Sequence, residues 1–282
     1  MRQACILIGM ILVLFGLLQY RSNYHMDPFT TQYTIPPVIW TYWNSEELPE
    51  IVQRCIDSWR RHNPTYEVVV LNPSNLRDYI DIDIKSVSFN DSPARESDMI
   101  RLLVLEKYGG VWSDATMFAT QPYPFSRTSP YQFVGYYLEK FTSNRKYPVL
   151  ESWFFATIPH GEFITKWRRE FFKVEESESV DHAIEEVRRE GIDLQKIDSL
   201  NYLYIHVAAQ KVMQTHAVTK HMLFLKAEDG PYKYIANNEW NSKTALEDLC
   251  KGNHRTDLIK FRGTERSVLI DRRDLQDCIL RR

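Results

Sequence analysis

Two carboxylates and a guanidinium, Asp98, Arg101 and Asp114, stand within an otherwise largely apolar stretch of this 282-residue chain. From Met99 to Leu105 only Arg101 is polar, and charged groups in such surroundings need partners. Asp98 and Arg101, three apart on a helix, share a face, and Gly109-Gly110 lets the chain fold back to bring Asp114 beside them. Such a trio can hydrogen-bond the hydroxyls of a sugar or ribose. A carboxylate at a strand end can also help hold Mn²⁺ or Mg²⁺, hard cations that bridge phosphates. Together these are the needs of nucleotide-sugar transfer, in which charge on a departing diphosphate is stabilised while protein groups orient the sugar carbon. A helical Asp98–Arg101 salt bridge with Asp114 capping a turn accounts for the same residues without any ligand.

The elements that must position this trio alternate between strand and helix. Val38 to Trp43 is rich in β-branched and aromatic residues and reads as a buried strand. In the helix expected over Leu48 to His62, the apolar residues Ile51, Val52, Cys55, Ile56 and Trp59 fall on one face, and Asn63-Pro64 stops it. Tyr66 to Leu71 is a second strand, so strand, helix and strand at this spacing suggest a parallel unit. Ser92 as N-cap and Pro93 at the first helical position open a helix that runs to Tyr108 and ends at Gly109-Gly110. Val111 to Asp114 then emerges as a short strand. Further on, Trp153 to Thr157 reads as a strand, Glu162 to Val174 as an aromatic-rich helix, and Val180, Ala183, Ile184 and Val187 mark a charged surface helix. A largely buried helix follows Tyr202, and short strands in polar surroundings are expected over the last forty residues.

These motifs, in this order, resemble retaining GT-A glycosyltransferases, particularly capsular polysaccharide synthesis proteins, and more distantly fungal initiating mannosyltransferases and glucosylating bacterial toxins. Ile35-Pro36-Pro37-Val38-Ile39-Trp40 through Trp43 is similar to the family's first strand, and Ser58-Trp59 with Asn63-Pro64-Thr65-Tyr66-Glu67 to its S-W…N-P-x-Y-E signature. Ser97 to Arg101 matches S-D-x-x-R, Tyr108 to Asp114 matches Y-G-G-[IV]-[YW]-x-D, and Tyr202 to His206 resembles a later aromatic segment. The resemblance implies an α/β, GT-A-like nucleotide-sugar-binding fold with a mixed, mainly parallel central sheet flanked by helices. It implies transfer of a hexose from a nucleoside diphosphate sugar, UDP-linked in preference to GDP-linked, to a glycan or polysaccharide, with retention and metal assistance. Asp98, Arg101 and Asp114 would be catalytic, with donor contacts from Trp40, Tyr42, Ser97, Asp98, Arg101, Gly110 and Asp114, and Trp40 near the base. Asp114 and Thr116 would hold the metal, Thr116 standing where a D-x-D motif has its second carboxylate, and Asn238, Glu239, Asn241 or Ser242 could supply a missing oxygen. His206 reads as a core histidine, Glu151 as either an acceptor-facing group or a surface ion pair, and Asn237 to Ser242 as either a donor-side loop or a polar turn.

Composition limits the alternatives. A net charge of -2 and a pI near 6.5 lack the basic excess of a nucleic-acid binder. Ala4 to Leu18 is uninterrupted by charge and bracketed by Arg2 and Arg21, which reads as an uncleaved signal anchor over 1–21, a stem over 22–34 and one catalytic domain over 35–282. This makes a single-pass membrane protein, its catalytic domain luminal in a eukaryote. Cys250 and Cys278 either pair or remain reduced, and no metal-ligand spacing joins them to Cys55. Two rivals remain: a non-catalytic carbohydrate-binding or scaffold protein, and a phosphatase-like enzyme with Asp114 as nucleophile, which lacks the D-x-D-x-T/V spacing at a first strand.

Overall fold

The computed structural model describes residues 31–281. The anchor expected over 1–21 and most of the stem lie outside the described residues, and among those described no helix is long and apolar enough to cross a membrane. Strands follow in the order β1 (Tyr33–Thr34), β2 (Val38–Tyr42), β3 (Glu67–Leu71), β4 (Gly110–Ser113), β5 (Met117–Ala119), β6 (Thr128–Ser129), β7 (Phe133–Tyr137), β8 (Leu150–Thr157), β9 (Met222–Lys226) and β10 (Leu258–Lys260). The helices are α1 (Glu50–His62), α2 (Pro93–Tyr108), α3 (Glu162–Phe172), α4 (Val180–Arg189), α5 (Tyr204–Thr215), α6 (Lys233–Ala236), α7 (Ser242–Lys251), α8 (Gly263–Asp271) and α9 (Arg273–Leu280). Because β1 pairs with β6, the last two residues of the expected stem already belong to the folded domain.

Six strands form the central sheet in the order β3-β2-β4-β8-β7-β9. β2 runs parallel to β3 and β4, β7 runs parallel to β9, and β8 alone is antiparallel to both neighbours. This is the mixed, mainly parallel α/β sheet expected from the sequence. Successive side chains alternate between its faces. Ile39, Val111, Val134, Phe154 and Ala156 enter one core with the apolar face of α1, while Trp40, Trp112, Phe133 and Phe155 enter another with α2, α3 and α5. Helices therefore cover both faces. α2 packs against β2 and β4 and also against α3, which explains why its apolar residues run nearly all round it.

Two local devices hold the site's framework. Ser92 Oγ caps α2 by accepting from the Arg95 amide, and the helix stops at Gly109, whose φ of 64° few other residues adopt. Gly110 follows at φ 99°, where an added Cβ would lie 2.6 Å from the Val38 carbonyl oxygen, so the tight return into β4 requires glycine. The second device starts at the Ser58-Trp59 pair. Trp59 Nε1 donates to the Met117 carbonyl at 2.7 Å and the Ala119 amide donates to Ser58 Oγ at 2.9 Å, fastening β5 to α1. β5 in turn pairs antiparallel with β10, setting Met117 opposite Lys260.

The last forty residues correct the sequence reading. They form most of α7, all of α8 and α9, and a single three-residue strand, β10. Ala245, Leu246 and Leu249, and likewise Leu275, Ile279 and Leu280, recur at helical spacing and are buried. Each run is short, so only a turn or two of its period is on show. A disulfide joins Cys250 on α7 to Cys278 on α9, and Cys55 is a buried free thiol.

Candidate functional site

The carboxyl ends of β2 and β4 open into a cleft of about 560 Å³. From β2 the chain passes through α1 to β3 on one side, then crosses through α2 to β4 on the other. Open α/β sheets characteristically take ligands where strand order reverses in this way, and the volume suits a small organic molecule.

One wall is built around Arg101. Its guanidinium lies 3.0 Å from Asp98 Oδ1 and 3.4 Å from Asp114 Oδ1. It also donates to Ser152 Oγ at 2.7 Å, the Ser152 carbonyl at 2.9 Å and Ser97 Oγ at 2.9 Å. The Trp112 ring packs 5.1 Å from the same guanidinium, and its indole N–H donates to Asp114 Oδ1 at 2.9 Å. Asp114 follows β4 directly, and its amide bonds to the Trp153 carbonyl of β8 at 2.8 Å, so sheet pairing fixes its height in the cleft.

The opposite wall comes from the C-terminal segment. Lys260 Nζ is 2.6 Å from Asp114 Oδ2 and 3.3 Å from Thr116 Oγ1. Tyr234 holds the Lys260 carbonyl at 2.8 Å, and the Phe261 amide bonds to the Thr116 carbonyl at 3.1 Å. Arg262 pairs at 2.7 Å with the buried Glu265 in a capping arrangement at the start of α8. Arg266 also lines the cleft, and its Nε is buried with no hydrogen-bond partner among the described residues.

The two acids shift in opposite directions. Burial dominates at Asp98 and holds its pKa above the ordinary value despite Arg101 and His206. Burial is also the largest influence on Asp114, yet Lys260 and Arg101, with hydrogen bonds from Lys260 and Trp112, together outweigh it and hold that carboxyl below the ordinary value. Asp114 is therefore the better-compensated anion.

Asp98, Arg101, Asp114, Ser97, Tyr42 and Thr116 all line the cleft, with Glu151 and His206. Tyr42 donates to Glu96 at 3.0 Å. Trp40 does not reach the cleft. Its side chain shares the α2 face with Tyr42, but two residues short of the strand end it is held in the core by the Gly109 carbonyl at 2.9 Å and stacked on Tyr108. Trp43 and Asn44, just beyond β2, are the residues that line the cleft there. Gly110 lies beneath Val38 and Trp40 and serves the turn. The acidic Glu151 is buried, with His206 Nε2 3.9 Å away. Three polar side chains of 237–242 are spent locally: Asn241 caps α7, Ser242 donates to Glu265, and Asn238 bonds to the Tyr234 carbonyl and His254, while Glu239 is exposed.

The metal expectation meets a different arrangement. The oxygens assigned to a cation, on Asp114 and Thr116, both face the Lys260 ammonium, and the second Asp114 oxygen faces Trp112 and Arg101. A divalent ion at these oxygens would stand beside the Lys260 ammonium, whose like charge opposes it. Among the described residues no group of three His, Cys, Asp or Glu side chains is placed to hold a metal ion. Lys260, Arg262 and Arg266 escaped the sequence reading, since isolated basic residues carry no period or motif, and Trp43 and Ser152 were not singled out as site residues.

A sequence profile described as capsular polysaccharide synthesis protein matches residues 17–185. O-glycosyltransferase braB of Annulohypoxylon truncatum is 28% identical over 158 residues, 48% of this chain and 37% of that protein. Putative glycosyltransferase HOC1 of Saccharomyces cerevisiae (strain ATCC 204508 / S288c) is 28% identical over 104 residues, 34% of this chain and 26% of that protein. The chain thus spans well under half the length of either relative. Among solved structures, the PaToxG glycosyltransferase aligns over 88% of both chains at 14% identity and a TM-score of 0.41. The glycosyltransferase domain of the YGT toxin aligns over 84% of this chain and 89% of its own at 10% identity and a TM-score of 0.47.

Proposed function

This chain belongs to the capsular polysaccharide synthesis protein family, and from that membership we propose that it is a glycosyltransferase moving a hexose from a nucleoside diphosphate sugar to a glycan hydroxyl. The observation that carries the reading is the meeting of Asp98, Arg101 and Asp114 in one cleft at the carboxyl ends of β2 and β4. Asp98 and Asp114 accept from donor-sugar hydroxyls, while Arg101 holds both carboxylates at fixed separation, so the sugar meets a preorganised frame. The base lies toward Trp43 and Asn44, the residues that succeed Trp40 in this role. The acceptor approaches over Tyr202, which is 64% exposed and borders both the cleft and an adjoining depression lined by Arg95 and Asn201. An exposed ring there suits stacking against a sugar face.

Transfer with retention follows the family resemblance, with the departing diphosphate assisting deprotonation of the acceptor on the same face. UDP is the preferred nucleotide on the same ground. The Cys250–Cys278 disulfide suits an oxidising compartment, in keeping with an anchored enzyme whose domain is luminal. The test is a panel of UDP-, GDP- and CDP-sugars followed for hydrolysis and for transfer to oligosaccharides. One donor should raise the melting temperature and turn over. Donor binding without turnover on any acceptor would favour the non-catalytic carbohydrate-binding reading, and no binding at all would sink the proposal.

A further inference from the structure

Resting on that reading, we propose that Lys260 and Arg266 supply the positive charge that meets the donor's diphosphate, and that this chain binds its donor without a divalent ion. Lys260 is buried and fixed from both sides, by β10 pairing with β5 and by Tyr234 on its carbonyl, so its ammonium is preorganised beside Asp114 and Thr116. It stands against the two oxygens that would otherwise hold a cation. A fixed ammonium at that place does the electrostatic work of the ion, facing an anion that develops charge as the sugar leaves.

Arg266 supplies the independent observation. Four basic side chains line the cleft: Arg101, Lys260, Arg262 and Arg266. Arg101 is shared by Asp98 and Asp114, Lys260 pairs with Asp114, and Arg262 pairs with Glu265. Arg266 enters none of the ion pairs found among the described residues, and its buried Nε is left without a partner. A buried guanidinium N–H left unpaired is costly, and an anionic oxygen is the partner its chemistry calls for. Arg266 lies six residues beyond Lys260, on the first turn of the helix that follows β10, so one segment carries both cations to the same wall. A phosphate, with several acceptor oxygens, can engage both where a sugar hydroxyl cannot.

Calorimetric titration of the full chain with UDP and with GDP, each in EDTA and in Mn²⁺, tests this. The expected result is an affinity for one nucleotide that changes by less than about threefold between the two conditions. Arg266→Ala and Lys260→Ala should each weaken that binding in EDTA by about tenfold or more, the loss of one charge-assisted contact. Arg266→Ala removes no ion pair found among the described residues, so it keeps the test open if Lys260→Ala misfolds. Affinity that rises threefold or more with Mn²⁺, or that survives unchanged in Arg266→Ala, overturns the inference and leaves the glycosyltransferase reading standing. Failure of every nucleotide to bind under both conditions overturns that reading, and this inference with it.

Discussion

The two walls of the cleft carry similar charges on unlike supports. Arg101 sits three residues from Asp98 on one helix and reaches Asp114 across a single glycine turn, so its wall is one continuous helix–strand unit. Lys260 meets the same Asp114 from 146 residues away, brought there by β10 lying on β5 and by β5 hanging from Trp59 and Ser58 of α1. The first wall falls within the stretch matched by the family, residues 17–185, and the second falls outside it. Local spacing can place a charge where the intervening chain is short and regular. Over a long interval only strand pairing can do so, which makes the second wall dependent on contacts far from the cleft.

The largest expected effect comes from breaking the first wall at its centre. Arg101→Ala would leave Asp98 buried without its nearest positive partner, a change of roughly 3–5 kcal/mol in denaturant unfolding, besides costing transfer. The network of Asp98, Asp114, Ser97 and Ser152 around one guanidinium accounts for that cost. The second wall can be loosened at a distance: Cys278→Ser opens the link between α7 and α9, which closes a separation of 28 residues. A loss of about 2–4 kcal/mol in thermal unfolding is expected, since the link restricts the unfolded chain. If the walls are independent, Arg101's pairing with Asp98 should survive this change, while donor affinity falls through Lys260.

A smaller effect should separate the two acids by pH. The lowered pKa of Asp114 gives stability that is complete above the unfolded value, near 3.8, and lost as pH falls through the lower folded value. Asp114→Asn should therefore flatten the acid side of the melting profile in that window. Asp98, whose pKa is raised, has the opposite sign: its burial weighs against the folded state near neutral pH and is relieved as pH falls through the folded value. A melting profile unchanged by Asp114→Asn would remove the claim that Lys260 and Arg101 hold this carboxylate ionised. The smallest functional effect belongs to Trp40→Phe. Loss of the bond to Gly109 should cost about 1–3 kcal/mol of stability and leave nucleotide affinity within about twofold. A large loss of affinity would return Trp40 to the base site.

Trp40 illustrates how far the sequence reached. Its place on the first strand was legible from the β-branched and aromatic run, and so was its burial. Whether it touched the cleft depended on where β2 ended, at Tyr42, and on the rings of Tyr79 and Tyr108 that close over it. Ser58-Trp59 was legible as a motif but not as a clamp, because the Met117 and Ala119 backbone groups it holds lie about sixty residues away. The tail read as strands because each of these helices is short and shows only a few apolar positions.

The sequence by itself determined the α/β alternation, the capped helix ending in two glycines, and the convergence of Asp98, Arg101 and Asp114. Each of these follows from spacing within a few turns of chain, where helix period and backbone sterics leave few choices. Only the tertiary structure decided what faces Asp114 and Thr116. The sequence offered a metal for those two oxygens, and the fold sets Lys260 against them, because antiparallel pairing between two three-residue strands, which no local pattern announces, carries that ammonium into the cleft.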